Sequence, residues 1–238
     1  MLCSIISYMD IPSSDQIIET IMRETDTVLL AFSCGKDSIS AWLHLRPHFN
    51  VIPFYMYLVP DLEFVEKSLL YYESFFSTRI MRVPHPSLYR MLNALVFQPP
   101  ERYPVIKSLG LPNFDYNDLH ESIREDLSRP GCFVATGVRA ADSPERLSAV
   151  KTHGPISQSK RQFWAIWDWK IARVVETLKS SGIQLPIDYD LFGRTFDGLD
   201  ARFTSVIKDR LPNDYKTILE WFPFVELELM RKDLRHVR

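Results

Sequence analysis

Apolar positions along this chain fall into blocks whose period switches between strand and helix. Residues 28–32 form an unbroken apolar run, Val-Leu-Leu-Ala-Phe, of the length and character of a strand buried on both faces. Ahead of it, Ile17, Ile18, Ile21 and Met22 form the apolar stripe of a helix over 15–25, and behind it Ile39, Ala41, Trp42 and Leu45 recur at helical spacing. A second apolar run over 51–58 is broken by Pro60-Asp61 and followed by an amphipathic stretch over 62–76. Residues 79–83 then read as a third strand and 87–97 as a helix. This β-α-β-α alternation predicts an α/β fold, a parallel twisted sheet with helices on both faces.

The pattern loosens after residue 97. Residues 98–113 carry Pro99, Pro100, Pro104 and Pro112 and read as an ordered surface excursion, either a lid or substrate wall or a structural insertion. Helix returns over 119–127 until Pro130-Gly131, and 132–136 is a further strand. The stretch from Ser148 to Trp164 holds Lys151, His153, Lys160 and Arg161 without either period. It is read as a basic segment that closes over an anionic substrate or as a solvated loop. His153 has no second ligand at metal spacing. Residues 163–167 read as a strand, with Asp168 capping a helix over 169–179 that ends at Gly182. Trp164, Trp167 and Trp169 read as core in preference to a base-stacking surface. Short helices over 201–210, 214–222 and 225–231, separated at Pro212 and Pro223, complete the chain.

Candidate chemistry concentrates where the first strand meets its helix. Ser33-Cys34-Gly35-Lys36-Asp37-Ser38 follows the apolar run directly, so loop and first-turn amides should converge on one concavity suited to phosphate. Gly35 allows close backbone approach, Ser33, Lys36 and Ser38 add donors, and Asp37 either caps the helix or binds Mg²⁺. Cys34 reads as a small side chain at a position that needs no positive φ. The spacing is not that of a Walker A loop. At the end of the 132–136 strand, Gly137, Arg139, Asp142, Ser143, Glu145 and Arg146 would reach the same sheet edge. Read as residues alone they are either an anion clamp or a solvated loop with local ion pairs.

Composition narrows the setting. The 238 residues are 46% hydrophobic and 24% charged, with a formal net charge of −2, so no global charge attracts nucleic acid or an anionic membrane. There is no apolar run of 18 residues and no basic leader before the first apolar stretch, so neither a membrane span nor a signal peptide is expected, and the expected location is cytoplasmic. Cys3, Cys34 and Cys132 lie far apart without Cys-x-x-Cys. That spacing predicts no disulfide framework, no zinc site and no iron–sulfur cluster.

The 33–38 segment resembles the Ser-Gly-Gly-x-Asp-Ser loop of the PP-loop ATP pyrophosphatases, with Cys34 at the first glycine. Gly137, Arg139, Ser143 and Arg146 resemble the Gly-x-Arg and Ser-x-x-Arg segment of the phosphoadenylylsulfate (PAPS) reductase-like branch, and Ile166-Trp167-Asp168-Trp169 and residues 188–198 are similar to later stretches of that branch. The resemblance covers about residues 25–200. It implies an adenine nucleotide alpha hydrolase-like fold that binds ATP and Mg²⁺, with cofactor contacts from Ser33, Cys34, Gly35, Lys36, Asp37, Ser38, Gly137 and Arg139. Catalysis is then expected from Lys36, Asp37, Arg139 and Arg146, substrate contacts from Ser143, Arg146, Lys160, Arg161 and Arg194, and metal binding from Asp37. No cysteine follows Cys132, so sulfonucleotide reduction, which needs a thiolate and a resolving partner, is not expected.

The function expected is ATP cleavage between the α and β phosphates with adenylation of a small-molecule or nucleic-acid acceptor. The alternatives are a nucleotide-binding regulator without turnover, an adenylyltransferase of the flavin type, or a component of nucleic-acid sulfur modification. The nucleotide-binding domain is expected over 1–185 and a helical extension packed on it over 186–238, whose helices offer a surface for a homodimer or a partner protein.

Overall fold

A computed structural model describes residues 11–236, with the side chains of the last five of these excepted. Cys3 and the terminal residues Val237 and Arg238 lie outside the described residues, as does most of the apolar N-terminal stretch. In chain order the elements begin with α1 (Ser14–Met22), β1 (Thr27–Ala31), α2 (Lys36–Leu45), β2 (Asn50–Tyr57), α3 (Glu63–Phe76), β3 (Met81–Pro84) and α4 (Pro86–Asn93). They continue with α5 (Tyr103–Ser108), α6 (Tyr116–Asp126), β4 (Phe133–Thr136), α7 (Pro144–His153), β5 (Ile156–Ser157), β6 (Gln162–Trp164) and α8 (Ile171–Ser181). Four helices close the chain: α9 (Asp188–Phe192), α10 (Ala201–Arg210), α11 (Pro212–Trp221) and α12 (Glu226–His236).

The α/β class expected from the alternation is the one observed. Six strands form one sheet in the order β3-β2-β1-β4-β6-β5. β1 runs parallel to β2 and β4, β4 runs parallel to β6, and β5 lies antiparallel on β6. The order reverses at β1, since the chain leaves it toward β2 on one side and returns at β4 on the other. In open α/β sheets such a reversal opens a crevice at the strand C-termini. The residues after β1 and after β4 both emerge there.

The chain divides into two compact units. One comprises the residues up to Tyr55, Ser77–Met81 and His120–Leu185; the other comprises Met56–Phe76, Arg82–Leu119 and the residues from Pro186 onward. In the first unit Val28, Leu29 and Leu30 of β1 and Phe133, Val134 and Ala135 of β4 are fully buried, the reason β1 reads as a continuous apolar run. α1 contributes Ile17, Ile18 and Ile21, and α2 contributes Ile39, Ala41 and Leu45. α2 packs against α8, where Trp167 and Trp169 are core residues, as expected.

The second unit is built on aromatic edges. Phe64 of α3 meets Phe192 and Phe196 at ring separations of 6.1 and 5.7 Å, and Phe203 of α10 meets the same two at 5.1 and 5.5 Å. Asp188 holds the turn between them by accepting the Phe196 N–H at 2.8 Å, and burial raises its pKa. The proline-rich segment after α4 is tied to the end of α11. Gln98 Nε2 donates to the Trp221 carbonyl at 2.6 Å and Arg102 Nη1 to the Glu220 carbonyl at 2.7 Å, satisfying oxygens that a helix C-terminus leaves open.

Three local expectations are corrected. The segment read as lacking any period begins inside α7, a helix started ahead of it by Ser143 as cap and Pro144 in the first turn. Val150 is the one residue of α7 that is buried, so no apolar stripe marks it. β6 ends at Trp164, short of residue 167. Asp168 does not cap α8: its carboxylate accepts from Ser14 N and Ser14 Oγ at 3.2 and 2.5 Å, and α8 begins after Lys170.

Candidate anion site at the ends of β1 and β4

All residues of the two motifs lie in the first unit. β1 continues one step beyond its last residue, Phe32 N–H donating to the Phe54 carbonyl at 2.8 Å, and the chain then turns sharply. Cys34 adopts φ 60°, the left-handed region that favours glycine. The sequence expectation for Cys34 is therefore corrected, and the glycine of the resembling loop has its physical reason at this position. Gly35 is the N-cap of α2 and has no side chain with which to cap it, so the cap falls to neither Asp37 nor Ser38.

Ser38 ties the loop together. Its hydroxyl donates to the Gly35 carbonyl at 2.9 Å and accepts from Ser33 N at 3.2 Å, with Ser33 Oγ also 3.2 Å away. Ser38 is buried, which makes it the internal brace of the loop.

Gly137 brings the second motif against the first. A Cβ there would stand 2.7 Å from the Asp37 carbonyl carbon and oxygen and 2.8 Å from Ser38 N. The end of β4 thus lies on the backbone of the first turn of α2, and any side chain at 137 would force them apart.

A chain of opposite charges joins the motifs. Lys36 Nζ lies 2.5 Å from Asp37 Oδ2, and Asp37 Oδ1 lies 2.8 Å from Arg139 Nε. Arg139 Nη2 donates to Asp142 Oδ1 at 2.5 Å, and Arg146 Nη1 donates to Asp142 Oδ2 at 2.9 Å. The Asp37–Arg139 contact is a close charge pair without hydrogen-bond alignment, both atoms being buried. Arg139 is 5% exposed and Arg146 46% exposed. Ser143 accepts the Arg146 N–H at 3.2 Å and thereby starts α7. At the same helix start, backbone N–H donation and the Ser143 hydroxyl lower the pKa of Glu145.

Lys36, Asp37, Arg139 and Arg146 are therefore brought together, with Asp142 as a fifth member that the sequence reading weighed only as a surface partner. Its signal is the spacing to Arg139 and Arg146, three and four residues away. Lys160 and Arg161 are not brought there. They immediately precede β6, which is parallel to β4, and Arg161 O accepts from Val134 N, so they lie at the strand N-termini. Arg161 donates to the Gly131 carbonyl at 2.5 Å and lies over the Phe133 ring. Arg194 belongs to the second unit and pairs with Asp197. Partly buried His44 of α2 is a further perturbed group, its pKa lowered to about 4 chiefly by desolvation. Its ring lies tilted against that of Trp169, centroids 4.9 Å apart, and its Nε2 approaches Asp15 at 3.3 Å, a packing role.

No family model matches the sequence, and no curated protein matches it. Solved structures similar to it include two archaeal proteins. The U34-tRNA thiolase NcsA from Methanococcus maripaludis with its [4Fe-4S] cluster matches with TM-score 0.44 and 11% identity over 90% of this chain and 80% of that one. A predicted subunit of a tRNA methyltransferase from Methanocaldococcus jannaschii matches with TM-score 0.36 and 14% identity over 80% of this chain and 92% of that one.

The first of these overturns the expectation that cysteine spacing excludes an iron–sulfur cluster, because that similar structure was solved with one. As for ligands, among the described residues no group of three or more His, Cys, Asp and Glu side chains is placed to hold a metal ion. Cys34 and Cys132 are buried and form no disulfide, and burial pushes the Cys132 thiol pKa up.

Proposed function

We propose that this chain binds the phosphates of ATP at the 33–38 loop and cleaves the nucleotide between its α and β phosphates, adenylating a second substrate. The observation that carries the reading is the seating of Gly137 on the first turn of α2, which sets uncapped helix-start amides, Lys36 and the Arg139–Arg146 segment around one point at the strand reversal. Amides at a helix start favour phosphate, and preorganised cations stabilise charge that develops on a leaving pyrophosphate. In this reading Lys36 and Arg146 contact phosphate, Gly35 and the first amides of α2 cradle it, Ser33 and Ser38 keep the loop in shape, and Arg139 positions Asp37.

Purified protein incubated with ATP in magnesium-containing buffer, with small-molecule and nucleic-acid acceptors supplied in turn, should release pyrophosphate and form an adenylated acceptor, which frees AMP when water or a further nucleophile displaces it. Charge-assisted bonds contribute about 1.5–3 kcal/mol each, so Lys36→Ala should weaken nucleotide binding or turnover by about 10- to 100-fold. ADP and phosphate as products would show that the cleavage site is misassigned. Nucleotide binding without turnover for any acceptor would favour a regulatory binding protein.

A further inference from the structure

We propose that Asp142 is a built-in competitor for the anion, and that Arg146 exchanges the Asp142 carboxylate for a polyphosphate when the site is filled. The inference rests on the phosphate-binding reading above. Asp142 spends both oxygens on guanidinium groups, Oδ1 on Arg139 at 2.5 Å and Oδ2 on Arg146 at 2.9 Å. Two arginines gripping one carboxylate present the planar, forked donors that a phosphate would use.

The two arginines are not equally able to let go. Arg139 is buried and faces a second carboxylate, Asp37, at 2.8 Å, so it is held from two sides. Arg146 is 46% exposed, and its bond runs from the first turn of α7 back to Asp142, four residues earlier and just ahead of the Ser143 cap. A pair whose cation is half exposed to water is weakly held and readily exchanged on the arginine's side. If Arg146 leaves, Asp142 still keeps Arg139, so no carboxylate is stranded without a cation.

The charge count favours the exchange. In the chain of ion pairs Lys36, Arg139 and Arg146 alternate with Asp37 and Asp142, and a pyrophosphate group offers Arg146 at least two negative charges where the Asp142 carboxylate offers one. The ligand class is accordingly a polyphosphate, either free pyrophosphate or the triphosphate end of a nucleotide.

Calorimetric titration of inorganic pyrophosphate and of ATP into the full chain tests this. Asp142→Asn should bind both about tenfold more tightly than wild type, Arg146→Ala about tenfold more weakly, and the double variant no more tightly than Arg146→Ala alone. Unchanged or weaker binding by Asp142→Asn, with Lys36→Ala still impaired, would overturn the competitor role and leave the phosphate site standing. Equal binding by wild type and Lys36→Ala, or none by either, would overturn the site and this inference with it. Should Asp142→Asn prove unfolded by circular dichroism, Arg146→Ala carries the test alone, since its exposed side chain is not needed for folding and an unchanged affinity overturns the exchange.

Discussion

Two buried arginines stand at opposite ends of β4, and the contrast between their partners separates structure from function in the first unit. Arg124 of α6 is 2% exposed and sits at the strand N-termini. Its Nε donates to the Cys132 carbonyl at 2.8 Å and its Nη2 to the carbonyls of Lys160 and Arg161, each at 3.1 Å. Those acceptors are backbone, fixed by the strands they precede. Arg139 sits at the strand C-termini, and its neighbours are the carboxylates of Asp37 and Asp142, side chains that keep about a quarter of their surface exposed and also touch Lys36 and Arg146. A guanidinium on carbonyls closes one end of the sheet; a guanidinium on carboxylates belongs to a network that can change partners.

The sharpest way to break this contrast is to remove each arginine. Arg124→Ala removes charge-assisted bonds to the carbonyls of Cys132, Lys160 and Arg161, the last of which keeps the Val134 N–H, and at about 1.5–3 kcal/mol for each such bond the loss should total about 3–5 kcal/mol once the guanidinium's own desolvation is relieved. Arg139→Ala leaves carboxylates that water and the neighbouring cations can still reach, so its cost should be smaller, about 1–3 kcal/mol. Urea unfolding followed by tryptophan fluorescence measures both. A second substitution, Asp142→Asn, should recover part of the Arg139→Ala loss, whereas Glu121→Gln should recover nothing in Arg124→Ala, because the Glu121 carboxylate is largely exposed. Equal losses without recovery in either pair would dissolve the distinction.

Gly137 sharpens the comparison at the functional end. Gly137→Ala puts a Cβ 2.7 Å from backbone atoms of Asp37, which cannot rotate away as a side chain would. Overpacking of this kind costs about 1–3 kcal/mol, and the shift it forces separates Arg139 from Asp37. Nucleotide binding should therefore fall by more than the stability loss alone explains, measured by titration under conditions where circular dichroism shows the variant folded. Alanine substitution at Gly131, where the nearest atoms belong to the movable Arg161 side chain at 3.6 Å, should leave nucleotide binding unchanged.

What was legible in the sequence follows from which forces leave a local mark. β1 and α2 announce themselves because a strand buried on both faces must be apolar throughout and a helix on a sheet must carry a stripe. The two motifs were legible for a similar reason: their residue types are unusual for turns. α7 was not, since packing draws only Val150 fully inward and the helix is defined by its cap. Lys160 and Arg161 were misplaced because charge alone does not tell which end of a strand a residue precedes; that is fixed by the parallel pairing of β4 with β6. The exchange of Asp168 from helix cap to partner of Ser14 joins residues 154 positions apart, and no local pattern carries such a contact.

The smallest expected effect concerns the loop backbone. Cys34 holds φ 60°, a conformation that costs an L residue about 1–2 kcal/mol and costs glycine little. Cys34→Gly removes that penalty but adds unfolded-chain freedom worth roughly 0.5–1 kcal/mol in the opposite sense. The side chain is also buried, so its loss forfeits some packing. These terms nearly cancel, and the net change in stability should stay within about 1 kcal/mol of zero. Cys34→Val makes the informative partner, because a β-branched side chain tolerates positive φ least and should lose stability by about 1–2 kcal/mol more than Cys34→Gly. Thermal unfolding of the three proteins reads the order directly: Gly and Cys close together, Val well below. If Val matched Cys, the loop would not be held in the left-handed conformation, and the uncapped start of α2 would lose the geometry on which the anion site depends.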